Sequence, residues 1–272
     1  MNYRVNAILD SATTRLPLWA VGLILVALFI GACAVGQLGG RRRDLSGTGK
    51  KKAERASEGY IVTAIFALLG FMLATTFSMA LSRFDTRRLV LATEVDAIGT
   101  AYMRASLLDE PHATIIRGTL RKYAHCRIAS QNWSAEQFED QVRVCQKVGK
   151  ELWSQTRDAV EPYRTTALAS YTIAATNDVL NAAVRREIAG RAVIPARVIT
   201  VLLICTIAAA MALGWVQAGR KVRLGGSTAL LLTLYAVCFV LILDIDRSRT
   251  GSVAVSQKPM QALASELDHD AP

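Results

Sequence analysis

The side chains able to carry chemistry are few in this chain of 272 residues, and they do not converge. There are three histidines: His112 and His125 fall on different turns of one predicted helix, and His269 lies in a polar tail. Glu94 and Asp96 are two residues apart, which puts them on different faces of a helix and not on one substrate. No acid–base pair or activated nucleophile can be assembled, so the chain reads as a non-enzyme. His125 adjoins Cys126, but a closed metal site takes four ligands at recognisable spacing, and the other ligands are missing. The stretch Gly47-Thr48-Gly49-Lys50 invites comparison with a phosphate loop. It fails, because Asp44 stands where the first glycine belongs and Lys51 where a Ser or Thr would follow. The sequence therefore offers no catalytic, metal-binding or cofactor-binding residues.

What the sequence does specify is architecture. Four runs contain no Asp, Glu, Lys or Arg: Leu18–Leu38, Tyr60–Leu81, Val198–Val216 and Ser227–Leu243, of 21, 22, 19 and 17 residues. A helix needs about 20 apolar residues to cross the hydrocarbon core of a bilayer. The chain reads as a multi-pass membrane protein of four spans. The formal charge of +10 would suggest nucleic acid in a soluble protein. Here basic residues flank the spans, where they face anionic lipid, and no basic stripe is interleaved with aromatics. Nucleic-acid binding is excluded on that ground. The first run exceeds the 7–15 residues usual for a signal peptide core, so it is read as an uncleaved span. Ile30-Gly31-Ala32-Cys33 loosely resembles a lipoprotein cleavage site, but Arg41-Arg42-Arg43 close behind it opposes export.

The second run continues past the membrane. Residues 82–108 hold no proline, and apolar side chains recur at Leu91, Val95, Ile98, Ala101, Tyr102 and Ala105 with the three-and-four spacing of an amphipathic helix. One helix over Tyr60–Leu108 would be about 70 Å long at 1.5 Å per residue. Asp109-Glu110-Pro111 ends it. Three more helices follow. His112–Ser130 is expected to bury Ile115, Ile116, Leu120, Tyr123 and Ile128. A capping box at Ser134-Ala135-Glu136-Gln137 opens a helix with Phe138, Val142, Cys145, Val148, Leu152 and Ala159 on one face. Tyr163–Arg191 follows Pro162 and is expected to bury Ala167, Tyr171, Ala174, Val179 and Ala183. Pro195 marks the return to the membrane.

The predicted fold is thus all-α: four transmembrane helices with a helical extramembrane domain between spans two and three. The divisions are an N-terminal tail 1–17, spans one and two over 18–81 with a basic loop 39–59, the helical domain 82–197, spans three and four over 198–243, and a C-terminal tail 244–272. The two short loops, 39–59 and 217–226, carry seven and three Lys or Arg. The tails on the other side carry two and three, and long translocated segments weigh little in the positive-inside rule. That density places the short loops in the cytoplasm, with the helical domain and both termini outside the cell (inner) membrane. Cys33, Cys205 and Cys238 lie in spans as small packing residues. Cys126 and Cys145 could bridge two adjacent antiparallel helices if their domain is external, and are free thiols if it is cytosolic.

Three stretches carry a likeness: Phe77-Ser78-Met79-Ala80-Leu81-Ser82-Arg83-Phe84-Asp85, Glu94-Val95-Asp96-Ala97-Ile98-Gly99-Thr100-Ala101-Tyr102-Met103-Arg104, and Leu243-Asp244-Ile245-Asp246-Arg247-Ser248-Arg249-Thr250-Gly251. Together they resemble the bacterial bestrophin-like family of four-span membrane proteins. The resemblance covers most of residues 60–260. Bestrophins themselves are pentameric anion channels whose second span lines the pore. The resemblance implies a homo-oligomer, with a pentamer as the model, that passes small inorganic ions. Two departures stand out. Bestrophins keep their termini and helical extensions in the cytosol, opposite to the charge count. They also carry an acidic calcium clasp, whereas Asp244 and Asp246 alone offer too few oxygens for six to eight ligands.

Two groups of residues are candidates for function. Thr63, Ala67, Gly70, Ala74 and Ser78 place a row of small side chains on one face of the second span. Such a row serves close helix packing or forms a narrow pore wall. Arg83, Arg87 and Arg88 follow it, and Asp244 and Asp246 leave the fourth span on the same side. These charges make either an ion-pair network at the helix ends or a basic vestibule for anions. The functional expectation is an oligomeric anion channel. The alternative is a non-transporting scaffold, or a receptor-like protein with an extracytoplasmic helical domain. In a variant stripped of native cysteines, a thiol placed at Ser46 should be shielded from an impermeant reagent in intact cells, and one at Ser256 labelled. In the native chain, Cys126 and Cys145 should resist thiol blocking. The reverse labelling pattern would invert the orientation.

Overall fold

The computed structural model describes residues 17–45, 52–128, 135–218, 225–247 and 253–270. The N-terminal tail through Leu16, the Gly47–Lys50 stretch and the Ser134 cap lie outside the described residues. Every described element is helical: α1 (Leu18–Leu45), α2 (Lys52–Ala105), α3 (His112–Cys126), α4 (Ala135–Ala159), a 3-10 turn (Glu161–Tyr163), α5 (Ala167–Arg191), α6 (Ala196–Ala218), α7 (Gly226–Asp246) and α8 (Lys258–His269). Four segments are long and apolar enough to cross a membrane, and they contain the four charge-free runs. The second charge-free run lies within a single helix of 54 residues, longer at its N-terminal end than its apolar pattern alone predicts.

The described chain divides into two compact units. The first holds residues up to Ser82 together with Val193–Arg247. Its core is a pair of helices brought unusually close. A Cβ added at Gly36 of α1 would collide with the carbonyl oxygen of Met211, and one at Gly214 of α6 with the carbonyl oxygen of Cys33. Gly40 meets Ala218 and Trp215 in the same way. Gly36 and Gly40 are four apart, as are Ala210, Gly214 and Ala218. Two small-residue ridges therefore interlock, letting backbone touch backbone where lipid supplies no hydrophobic drive for helices to associate. A chain of polar side chains reinforces the contact. Gln37 Nε2 donates to Gln217 Oε1 at 3.2 Å, and Gln217 Nε2 donates to Thr228 Oγ1 of α7 at 2.7 Å. Phe29 and Phe239 pack with ring centroids 5.9 Å apart. Tyr235 of α7 donates its hydroxyl to the Phe66 carbonyl of α2 at 2.8 Å.

The second unit holds Arg83–Ala192 and the chain from Ala254. Its core joins Leu91, Ile98 and Tyr102 of α2 to Ile116 and Leu120 of α3, and to Leu152 and Val179 of α4 and α5. The segment 253–270 is more than a tail. Helix α8 starts with Pro259 in its first turn and buries Met260, Leu263, Ala264 and Leu267, an i, i+3, i+4, i+7 stripe.

Two expectations of burial and one helix boundary are corrected. Ile115 is 43% exposed while Ile116, the next residue, is sealed, because adjacent helix positions are 100° apart and only Ile116 faces α2 and α8's side of the core. Pro162 does more than punctuate: it sits in the 3-10 turn, and α5 begins at Ala167, not Tyr163. The buried face of α5 is also rotated. Tyr171 is 59% exposed, and Ala167 and Ala174 are exposed too. The inward face runs through Thr172, Ala175, Thr176 and Val179. Threonine is tolerated there because each hydroxyl is satisfied: Thr172 donates to the Leu168 carbonyl at 2.9 Å, and the Thr176 and Thr156 hydroxyls pair at 3.0 Å.

The glycine contact makes a direct prediction. Gly36→Leu or Gly214→Leu should lower stability by about 1–3 kcal/mol or more, since overpacking must push two backbones apart. Gly31→Leu, whose Cβ would meet nothing within 4 Å, should be neutral. Thermal unfolding of the detergent-purified variants reads the difference.

Candidate functional site

The small-residue row of α2 turns away from the rest of its own chain. Thr63, Ala67, Ala74 and Ser78 are exposed, and only Gly70 is half-buried. The opposite face of the same helix supplies the contacts of the first unit, through Val62, Leu69, Leu73, Thr76 and Ala80. The close packing that small residues permit within the subunit is made by α1 and α6 instead. Thr63 donates its hydroxyl to the Gly59 carbonyl at 3.0 Å, so its donor is satisfied on its own helix.

The charged candidates take separate tasks. Arg87 is buried, with Nε donating to the Ala189 carbonyl at 3.3 Å and Nη2 to the Ala192 carbonyl at 2.6 Å. A cation at these carbonyls satisfies the free acceptors and the negative end of α5's dipole. Asp246 accepts from the Ile194 backbone N–H at 3.0 and 3.1 Å, holding the link between α5 and α6. Asp244 is buried and Arg88 exposed. Among the described residues, no three His, Cys, Asp or Glu side chains cluster to hold a metal ion.

The strongest electrostatic feature falls on residues that spacing did not single out. Glu94 is sealed from solvent on α2, between two guanidiniums. Arg127 Nε, just past α3, donates to Oε1 at 2.6 Å, and Arg186 Nη1, on α5, donates to Oε2 at 2.6 Å. Arg186 Nη2 also donates to Gln257 Oε1 at 2.8 Å, and Arg127 Nη1 lies 3.9 Å from Glu187. Burial opposes the charge on Arg127, but Glu94 more than restores it and holds Arg127 above its ordinary value. Burial holds Arg186 below its ordinary value, in spite of Glu94. Both stay cationic, as guanidinium does in proteins. Burial likewise pushes the Tyr123 phenol up to about 12. The spacing sets Glu94 and Asp96 on different helix faces, while the actual partners of Glu94 stand 33 and 92 positions away. Beside this cluster, the sulfurs of Cys126 and Cys145 stand in bonding contact, with Cα atoms 5.7 Å apart.

A sequence model of the bestrophin-like domain matches residues 27–260. The chain belongs to the bestrophin-like family. As a bestrophin-like protein it is a membrane protein of the bestrophin type. Solved structures agree on the fold. A tyrosine-to-alanine variant of a bacterial bestrophin homologue from Klebsiella pneumoniae superposes with a TM-score of 0.62 at 11% identity, covering 92% of this chain and 97% of its own. The same organism's homologue solved by zinc phasing gives 0.59 at 12% identity, covering 94% and 97%. An aspartate-to-alanine variant gives 0.58 at 13%, covering 92% and 96%. No curated protein matches the chain.

The Glu94 cluster can be tested by deletion. Glu94→Ala leaves two buried guanidiniums facing each other and should cost about 3–5 kcal/mol. Arg186→Met should cost less, because Arg127 still neutralises Glu94. Replacing all three with apolar residues, as Glu94→Leu with Arg127→Met and Arg186→Met, should recover most of the loss. Denaturation of the purified protein ranks the three.

Proposed function

We propose that this bestrophin-like protein is a homo-oligomeric anion channel of the cell (inner) membrane, with the small-residue face of α2 lining its pore. The observation that carries the reading is the outward face of Thr63, Ala67, Ala74 and Ser78 in a chain whose other α2 face is buried within the subunit. Several copies arranged with these faces inward would enclose a narrow path walled by hydroxyls, methyls and backbone. Pentameric assembly follows the bestrophin pattern. Arg83 and Arg88, five and ten residues beyond Ser78 on the same helix, would raise the local anion concentration at the pore mouth. The orientation that fits the loop charges puts the helical domain outside the cytoplasm, and a bridge between Cys126 and Cys145 is consistent with an oxidising compartment. The protein has no proposed catalytic role.

Flux through purified protein in liposomes tests the reading. Wild type should pass chloride. Ala74→Phe, at an exposed position, should cut flux about tenfold or more while the oligomer is unchanged on sizing, since a ring fills a narrow wall. Arg83→Glu should lower anion preference over cations at low salt, and the effect should fade at 1 M salt, where the Debye length is about 3 Å. Well-folded wild type that passes no ion over varied pH and calcium would leave the scaffold reading standing. Ala74→Phe that conducts normally would move the pore away from this face.

A further inference from the structure

Helices α4 and α5 of the second unit flank an open groove of about 450 Å³ that the channel reading does not use. Its size falls within the range of small-molecule pockets. Trp153 of α4 and Leu180 and Val184 of α5 give it apolar walls, and Trp153 and Val184 are exposed. Gly149 lies one turn before Trp153. A Cβ there would come within 3.0 Å of Leu180 and 3.6 Å of the Tyr123 ring, so no α4 side chain covers that ring at this position. Tyr123 of α3 forms the floor of the groove and is only 2% exposed. Among the described residues its hydroxyl has no hydrogen-bond partner and is not sealed off, so it opens onto the groove. An unpartnered hydroxyl at that depth costs free energy until something accepts a hydrogen bond from it.

We infer that this groove binds a small planar aromatic acid, with its ring against Trp153, a neutral acceptor at its inner end on the Tyr123 hydroxyl, and its carboxylate at the rim beside Lys150. Burial holds the Tyr123 phenol up at about 12, so it is a hydrogen-bond donor at neutral pH. The ionised groups around it balance one another. Arg127 and Arg186 each bond Glu94 at 2.6 Å, and Arg127 lies 3.9 Å from Glu187. That cluster has no charge left over for a ligand. A carboxylate pushed to the floor would lose its water close to Glu94 and Glu187. A carbonyl or a ring nitrogen meets the hydroxyl without that cost. Lys150 differs from the arginines. It lines the groove, is exposed, and has no ion-pair partner among the described residues. The anionic end of the ligand therefore belongs at the rim, where it keeps part of its water. The indole of Trp153 offers a flat face on which an aromatic ring stacks.

Tyr123→Phe supplies the test, because it removes a hydroxyl that bonds nothing else among the described residues. Full-length protein in detergent is titrated with sodium 4-acetylbenzoate at constant ionic strength. Binding is read by calorimetry after subtracting the heat with empty micelles. Two controls share the outline of the probe: 4-ethylbenzoate lacks the carbonyl acceptor, and 4-acetylbenzamide is neutral at the outer end. The probe should bind saturably at one site per chain, about fivefold or more tighter than 4-ethylbenzoate. In Tyr123→Phe that preference should disappear, while the melting temperature without ligand stays the same or rises. Lys150→Gln should weaken 4-acetylbenzoate about threefold and leave 4-acetylbenzamide unchanged. Absence of saturable binding, an acetyl preference that survives Tyr123→Phe, a lower melting temperature in Tyr123→Phe, or equal weakening of acid and amide in Lys150→Gln would each overturn the proposal. Ion flux is not part of the readout, so the result stands apart from the channel test.

Discussion

A carboxyl group sealed from water must find its counter-charge within the protein, and Glu94 obtains it from two helices at once. Arg127 comes from the end of α3 and Arg186 from α5, each at 2.6 Å. Desolvating three charged groups costs several kcal/mol per ion, so the cluster does little for net stability compared with an apolar core of the same shape. Its effect is on geometry. The two carboxyl oxygens fix the rotation of α2 relative to the last turns of α5, and Gln257 extends the same contact to the segment before α8. The surrounding apolar side chains, Leu91, Ile98 and Val179 among them, would tolerate small slips that paired charges do not.

In the first unit the corresponding constraint is steric. Gly36 and Gly214 bring α1 and α6 to backbone contact, so the tightest packing in that unit involves neither face of α2. Helix α2 joins it through larger side chains, Leu69 and Leu73, and through the Tyr235 hydroxyl on the Phe66 carbonyl. Among the described residues, Thr63, Ala67, Ala74 and Ser78 on its other side stay exposed. Small residues next to lipid gain nothing over leucine, whereas against a second helix or a file of ions they gain close approach.

How far the sequence disclosed this depends on the range over which each signal acts. The four spans were legible because exclusion of charge over about 20 residues is a local property. The continuation of α2 past the membrane is legible because no proline interrupts residues 60–105 and the apolar spacing persists to Ala105, whereas its start at Lys52 is not. The face of α5 was misjudged because Tyr171 looks apolar and Thr172 and Thr176 look polar. Burial is decided by whether each hydroxyl can be satisfied: Thr172 bonds a carbonyl of its own helix, and Thr176 pairs with Thr156 of α4. Helix α8 is legible only in the spacing of Met260, Leu263 and Leu267, within a tail that is otherwise polar. In the candidate site, the α2 row could be placed on one face from its spacing. The pairing of Glu94 could not, since nothing in the local pattern separates a carboxyl group bound for two distant arginines from one that faces water. The GxxxG spacing of Gly36 and Gly40 is likewise readable, but its partner ridge lies about 180 residues away, at Met211 and Ala218.

The same distinction explains how a fold can persist at 11–13% identity to the Klebsiella pneumoniae homologue. Most of what this architecture needs is a class of residue, not a particular one. A span needs apolar side chains and no charge, and a core stripe needs volume at three-and-four spacing; many sequences meet both conditions. The positions with little freedom are those where two chemically specific demands meet. At Gly36 and Gly214 any side chain collides with backbone. At Glu94 a change strands Arg127 and Arg186 as buried charge, and a change at either arginine leaves Glu94 with a single partner. Such positions can change only together, so divergence can rewrite most of the chain and leave the helix arrangement intact.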